Sequence, residues 1–306
     1  MTRSVDAAEP RARLLARALA FEHGVARRSA TAVVTTAGGF AVLSDPFPHS
    51  YAHNRLIVTV AADPALVLAE AERVLGGAGL SHRLVAVDHD AVAPAWHDAF
   101  AAAGYVHRTL VVMAATGPPD RPAGAAAELV PYPNLVSFLS ASWRRSLPDT
   151  PDEVVRQLVG RRSATAAACA VTDHAVRVGG RPVAHCALYH RGRTAQVEEV
   201  ETEPPWQGRG FARSVVLGAV GEARRLGCSL VFLLADADDW PRLLYRRLGF
   251  EALGRTHEFE RVAGSVGPKG PPADADPRTP LDLPVSRSAA DDPTRPRAGG
   301  WPHSPP

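Results

Sequence analysis

The sequence has few cysteines, no long apolar run and almost no net charge, and each absence excludes a class of protein. Its 3 cysteines lack the C-x-x-C spacing of a metal site, so they predict buried thiols in a reducing compartment. No apolar run reaches the roughly 20 residues that span a bilayer, and we expect no signal peptide in the charged N-terminal segment. A net charge of +2 favours neither nucleic acid nor a membrane as partner. These features predict a soluble, cytoplasmic protein.

Composition divides the chain into two folded parts of unequal length. Residues 11–115 and 128–263 carry the apolar patterns, and the Pro/Gly/Ala-rich residues 116–127 predict a linker between them. Residues 1–10 and the Pro- and Asp-rich tail at 264–306 hold too few large apolar side chains to form a core. We expect both ends to be disordered because burial cannot offset their chain entropy.

Helix and strand patterns alternate in the second part. A helical pattern from about 210 to 226 stops at Gly227, and "SLVFLLAD" after it is a continuous apolar run typical of a strand covered on both faces. The other predictions are helices near 133–146, 152–161 and 240–248, and strands near 174–178, 182–190, 194–202 and 255–261. The fold class is therefore α/β with a mixed sheet.

The first part repeats this order weakly, since "RLIVTVAADPALVLAEAERVLGGAGLSHRLVAVDHD" predicts strand, helix and strand again. Gly104-Tyr105 and Gly249-Phe250 stand at corresponding points of the two parts. The similarity suggests two copies of one βαβα unit. The alternative, that any two α/β segments look alike, remains open.

The stretch "QGRGFA" opens the helix near 210 with two closely spaced glycines. A helix N-terminus leaves backbone amides without intrahelical partners, and glycines would let an anion such as a pyrophosphate reach them. Equally, the glycines could serve a tight turn with close packing. A Walker loop is excluded because no Gly-Lys-Ser/Thr follows, and a dinucleotide fingerprint because the third glycine is missing.

Two motifs together give a family resemblance over roughly residues 128–262. Gln207, Gly210 and Ala212 match the Gln/Arg-x-x-Gly-x-Gly/Ala signature of the GNAT superfamily of acetyl-CoA-dependent N-acetyltransferases, and "DDWPRLLYRRLGFE" resembles its second landmark. The resemblance implies a GNAT-like fold here, and a tandem arrangement if residues 11–115 are a degenerate copy. It also implies acetyl transfer to an amine of a small molecule or peptide, with acetyl-CoA as co-substrate and no metal.

The resemblance also implies which residues contact coenzyme A. The strand before the turn should splay from its neighbour, so that backbone groups of Val200 and Thr202 bind pantetheine, with the Val200 amide near the thioester carbonyl. Asp238 stands where family members often have an asparagine that contacts CoA, although it and Asp239 could simply cap the next helix. The pyrophosphate site would comprise Gln207, Gly208, Arg209, Gly210, Phe211 and Ala212.

Four residues are candidates for proton transfer, one of them with a weaker claim. The resemblance suggests Glu198 as the general base, and strand alternation places Glu198 on the same side as Val200; Glu199 is adjacent, and Glu201 has the weaker claim. The alternative is surface glutamates paired with nearby arginines. Tyr245 matches the tyrosine that protonates the departing thiolate in the family, the alternative being a core aromatic.

The first part lacks both the glycine turn and the tyrosine. "ALVLAEAERVL" has no glycine to expose helix amides, and Phe100 stands where the second part has Tyr245. We therefore expect a degenerate copy that packs against the active one. Trp143, Arg144 and Arg145 lie where the family builds its acceptor pocket, although ordinary surface roles fit them too. A non-catalytic CoA-binding protein and a transferase of longer acyl groups remain alternatives, and the acceptor and the oligomeric state stay open.

Overall fold

The structure is a computed structural model that describes residues 9–88 and 93–262. The ends predicted to be disordered, 1–10 and 264–306, lie outside the described residues except for Glu9 and Pro10.

The first part of the chain folds into three helices and five strands within the described residues. In chain order they are α1 (Arg11–Ser29), β1 (Ala32–Thr36), β2 (Gly39–Leu43), β3 (Arg55–Val58), α2 (Pro64–Ala71), β4 (His82–Val87), α3 (Ala93–Ala102) and β5 (Val106–Ala115).

The second part adds five helices and six strands. They are β6 (Glu128–Leu129), α4 (Val136–Ser146), α5 (Asp152–Gly160), α6 (Arg162–Ala168), β7 (Ala170–Val178), β8 (Arg181–Arg191), β9 (Thr194–Thr202), α7 (Phe211–Arg225), β10 (Leu230–Asp236), α8 (Pro241–Arg247) and β11 (Phe250–Val262).

All eleven strands belong to one mixed sheet in the order β1-β2-β3-β4-β11-β5-β10-β9-β8-β7-β6. Pairing is parallel between β3 and β4 and between β9 and β10, and antiparallel elsewhere. The predicted α/β class with a mixed sheet is confirmed. The predicted linker, 116–127, connects the end of β5 to the start of β6.

The last strand of each part lies between two strands of the other part in the sheet. β11 lies between β4 and β5, while β5 lies between β11 and β10. β5 pairs with β10 from Leu110 to Ala114 and with β11 from Val106 to Ala115. The two parts therefore complete each other's sheet, and neither has its full set of strand neighbours alone.

Helices cover both faces of the sheet. On one face α7 and α8 pack over β8–β10, and α2 and α3 pack over β3 and β4. On the opposite face α1 covers the centre, with Phe21 against Phe232, and α4 and α5 cover β7. We call these the α7 face and the α1 face. The three cysteines are free and buried, as predicted.

Candidate active site

The glycine turn has the conformation that only glycine adopts easily. Gly208 and Gly210 have φ values of 76° and 79°, in the left-handed region. A Cβ at Gly210 would meet no atom within 4 Å, so this glycine does not serve close packing. Of the two interpretations of the turn, the geometry supports the one in which the glycines let an anion reach the helix amides.

The first turn of α7 begins at this glycine and leaves its backbone amides available to a ligand. Gly210 is the N-cap and no side chain caps the helix. The amides of Phe211, Ala212 and Arg213 have no acceptor within the described part of the chain. Gln207 secures the turn, because its Nε2 donates to the Thr202 carbonyl at 3.2 Å. Arg209 is exposed, with its guanidinium 4.6 Å from the Trp206 ring centre.

A gap opens between β9 and β10 immediately before this turn. The two strands pair only over Thr194–Gln196 and Leu230–Phe232, after which β10 continues along β5 and β9 along β8. The splay that the family resemblance implies is therefore present. The β9 backbone that carries Val200 and Thr202 lies along the gap, with both side chains buried.

A bulge in β9 changes the direction of its side chains. Glu199 has φ 54°, and the register with β8 shifts so that Ala187 faces Glu198 while His185 faces Glu201. Because the bulge adds one residue, Val200 packs in the cluster under α7, whereas Glu198 lies on the α1 face. The expectation that Glu198 and Val200 share a side is wrong.

Glu199 lies in a salt-bridge network. Its carboxylate is 3.4 Å from Arg161 Nη2 and 3.3 Å from Arg162 Nη2, and Tyr189 donates to it at 3.5 Å. Burial alone would raise the pKa of Glu199, but Arg162 and Arg161 outweigh it and lower the pKa below its ordinary value. A carboxylate stabilised in its charged form is a weak base, so the paired-glutamate alternative fits Glu199.

Glu198 and Glu201 have different partners. Glu198 accepts a hydrogen bond from Gln196 Nε2 at 2.6 Å. Glu201 is 3.2 Å from Arg145, and burial raises the pKa of Glu201 although Arg145 opposes it. Of the three residues that lie where the family builds its acceptor pocket, Arg145 contacts Glu201 of β9 and Trp143 lies beneath Arg161. The third, Arg144, pairs with Asp152 on the surface.

Tyr245 lies on α8 in the core of the α7 face. It is 2% exposed and its ring is 6.0 Å from that of Phe250, in the cluster that also holds Val200 and Ala212. Asp238 is exposed, and its amide donates to Asp236 Oδ1. The N-cap position of α8 is Trp240 rather than Asp238 or Asp239, although Asp239 Oδ1 accepts a hydrogen bond from the Trp240 amide at 2.7 Å.

The equivalent region of the first part is closed. β3 and β4 pair up to Val58 and Val87, and the Asp88 amide continues the ladder to the Val58 carbonyl. Asp63 caps α2 by accepting from the Ala65 amide, with Pro64 at the first helical position. In the described residues around the end of β3 and the start of α2, the strands stay paired and no glycine precedes the helix; that this part is a degenerate copy stays a prediction.

Several residues around the gap carry no sequence signal that marks them. Glu22 comes from α1, and Arg161 and Arg162 come from the junction of α5 and α6. Only the fold brings them to β9. Among residues 9–88 and 93–262, no helix has the length and apolar character to cross a bilayer, and no three acidic, histidine or cysteine side chains converge as a metal would need.

Part of the chain is similar to a known protein family. Residues 132–250 match the profile of the acetyltransferase (GNAT) family. No curated protein sequence matches the chain.

Solved structures share the fold at low identity. A conserved protein of unknown function from Staphylococcus epidermidis superimposes with a TM-score of 0.58 at 14% identity, covering 76% of this chain and 94% of its own. A GCN5-related N-acetyltransferase from Kribbella flavida gives 0.55 at 18% identity, covering 84% and 98%. A tandem GNAT protein from the clavulanic acid biosynthesis pathway gives 0.47 at 15% identity, covering 83% and 94%. The first two similarities extend over both parts of this chain.

Proposed function

We propose that the chain transfers an acetyl group from acetyl-CoA to an amine, and the match of residues 132–250 to the acetyltransferase (GNAT) family supports the proposal. The observation that carries the proposal is the gap between β9 and β10 beside a turn whose helix amides have no acceptor within the described residues. A long thioester that ends in a pyrophosphate needs a slot and a set of donors side by side.

The residues around the gap and the turn fit acetyl-CoA, the acetyl donor. The left-handed glycines and the first-turn amides, from Gly208 to Ala212, would hold the pyrophosphate. Backbone groups of Val200 and Thr202 would hold the pantetheine chain, and an amide directed at the thioester oxygen would stabilise the tetrahedral oxyanion. Acetyl-CoA supplies the activated acyl group when it is bound.

Proton transfer is divided between the two faces of the sheet. The acceptor must lose a proton first, because an alkyl amine with a pKa of about 10 is charged at neutral pH. The general base that takes this proton is a carboxylate on the α1 face. Glu198 fits this role better than the salt-bridged Glu199. Tyr245, on the α7 face, protonates the departing thiolate.

The acceptor is an amine of a small molecule or a peptide. We place the protein in the cytoplasm, since its three thiols are free and buried.

A second candidate is a CoA-binding protein without catalytic activity. The observation that favours it is the burial of Tyr245, which is 2% exposed and packs as a core aromatic would.

Two measurements test the proposal. Acetyl-CoA at a hundred times its dissociation constant should stabilise the full chain by about 2.7 kcal/mol, seen as a rise in melting temperature. Release of free CoA thiol is then followed with a panel of alkylamines, diamines and peptide N-termini. Absence of a thermal shift at saturation would refute CoA binding, whereas a shift without amine-dependent thiol release would favour the non-catalytic candidate.

A further inference from the structure

Glu199 has a backbone conformation that its residue type disfavours. Its φ of 54° lies in the left-handed region, and within residues 9–88 and 93–262 it is the one residue other than glycine found there. A residue with a Cβ is strained at this φ, and such strain persists only where the surrounding structure holds the residue in place. The contacts of its side chain therefore need an account.

Two arginines at the junction of α5 and α6 hold the carboxylate of Glu199. Arg161 Nη2 lies 3.4 Å from one of its oxygens, and Arg162 Nη2 lies 3.3 Å from the other. Both arginines are 8% exposed, so solvent and salt screen these ion pairs only weakly. We call Arg161, Arg162 and Glu199 the clamp.

Each arginine of the clamp is fixed by further contacts. Arg162 donates to Asp173 Oδ1 on β7 at 2.7 Å. Arg161 lies 5.2 Å from the ring centre of Trp143 and donates to Ser50 Oγ at 3.4 Å. Because Ser50 belongs to the first part of the chain, both parts determine where the clamp holds β9.

Val200, the residue after Glu199, is anchored on the opposite face. Its side chain is 1% exposed and packs in the cluster under α7. The clamp draws Glu199 the other way, towards α5 and α6. The peptide group between these two residues is thus fixed from both faces of the sheet.

The same two residues have no register partner on either neighbouring strand of the described sheet. On one side, β9 leaves β10 after Gln196. On the other side, the β8 register passes from Glu198 to Glu201 and pairs neither residue between them. A bulge leaves backbone hydrogen-bonding groups unpaired, so we expect free backbone donors at the point where the gap opens.

The clamp also makes Glu199 a poor group for proton transfer. Burial raises its pKa, but Arg162 and Arg161 outweigh burial and lower the pKa below its ordinary value. Any part that Glu199 takes in the reaction is therefore one of position.

We propose that the clamp is a positioning device, in which Arg161 and Arg162 hold Glu199 in its strained conformation so that the Val200 amide points at the thioester carbonyl. The inference rests on the proposed function. It makes Glu199 a positioning residue that acts through the backbone of β9, and it gives the first part an indirect role through Ser50.

Two CoA derivatives test the inference without an acceptor. Acetyl-CoA carries the carbonyl oxygen, whereas S-ethyl-CoA has a methylene group in place of the carbonyl. The ratio of their affinities, measured by calorimetry on the full chain, reports the contact to that oxygen, because a general change in the fold weakens both ligands.

The decisive variants are Glu199→Gly and Glu199→Ala. Both lack the carboxylate, but only glycine adopts a φ near 54° without strain. Glu153→Ala is the control, since it removes an ion-paired carboxylate on the exposed surface of α5.

The parent protein and the control should bind acetyl-CoA about two- to tenfold more tightly than S-ethyl-CoA, the range for one net hydrogen bond. Glu199→Ala should abolish this preference, and Glu199→Gly should retain most of it. Arg161→Gln removes one arm of the clamp and should lose part of the preference, which tests the same point if Glu199→Ala does not fold.

Three results would overturn the inference while CoA binding stands. They are a parent without the preference, a preference undiminished in Glu199→Ala or Arg161→Gln, and a loss in Glu199→Gly as large as that in Glu199→Ala. If neither derivative binds the parent, the proposed function fails and the inference with it.

Discussion

Replacing Gly210 with aspartate places a carboxylate where the structure offers the helix amides of α7 to an anion. In the exposed turn the repulsion between this charge and one phosphate charge about 4 Å away lies between about 1 kcal/mol in water and about 4 kcal/mol at an effective dielectric constant of 20. The affinity for acetyl-CoA should therefore fall by about fivefold to about a thousandfold. The effect on folding is smaller, because a Cβ at this position meets no atom within 4 Å and a left-handed residue costs about 1–2 kcal/mol.

The assay is calorimetric titration with acetyl-CoA beside thermal unfolding, with two controls. Gly210→Ala carries the same backbone strain without the charge, so it should keep most of the affinity. Gly180→Asp introduces the same side chain in the β7–β8 turn, at φ 80° and also with no atom within 4 Å. It should lower stability to a similar degree and leave binding unchanged. A Gly210→Asp protein that bound acetyl-CoA within twofold of the parent would refute the role of the turn as a phosphate site.

Four further predictions address other residues and segments. Tyr245→Phe should lower kcat by about 10², the low end for a general acid, without changing acetyl-CoA affinity; an unchanged kcat with chemistry rate-limiting would make Tyr245 a core aromatic. A fragment of residues 128–262 should show no cooperative unfolding, because β10 and β11 lose β5; a sharp transition in circular dichroism would contradict this. Truncation after Gly264 should leave thiol release unchanged, and loss of activity would show that the tail contributes. Glu199→Gln should reduce the loss of unfolding free energy at acid pH. The lowered pKa of Glu199 stabilises the fold above the unfolded value of about 4.3, and this contribution is lost as the pH falls through the lowered pKa. An identical curve of stability against pH would contradict the ion pairs.

Local patterns were sufficient to predict the glycine turn and the elements that flank it. The predicted helix at about 210–226 is α7, Phe211–Arg225, and the strand at 194–202 is β9. Both depend on apolar spacing and on stop signals within a few residues, which one sequence contains. The closing strand was predicted near 255–261 but begins at Phe250, since residues next to Gly249 pair with β5 rather than forming a loop.

Long-range pairing accounts for what the sequence did not reveal. Glutamate has no preference for positive φ, so nothing in "QVEEVET" indicates the bulge at Glu199 that places Glu198 and Val200 on opposite faces. Glu22 meets Gln196 only because α1 crosses the centre of the sheet. Asp238 and Asp239 precede α8, but the N-cap position belongs to Trp240, whose amide donates to Asp239 Oδ1.

The crossed positions of β5 and β11 also impose an order on folding during synthesis. β4 and β5 leave the ribosome early, yet each has β11 as a sheet neighbour, and β11 ends at Val262. At synthesis rates of 5–20 residues per second, the delay between the end of β5 and the end of β11 is on the order of 10 s. Throughout that interval two strands of the nascent chain carry unpaired edges, which are templates for aggregation. The arrangement that joins the two parts in the finished protein therefore makes its yield sensitive to translation speed and to chaperones that cover strand edges.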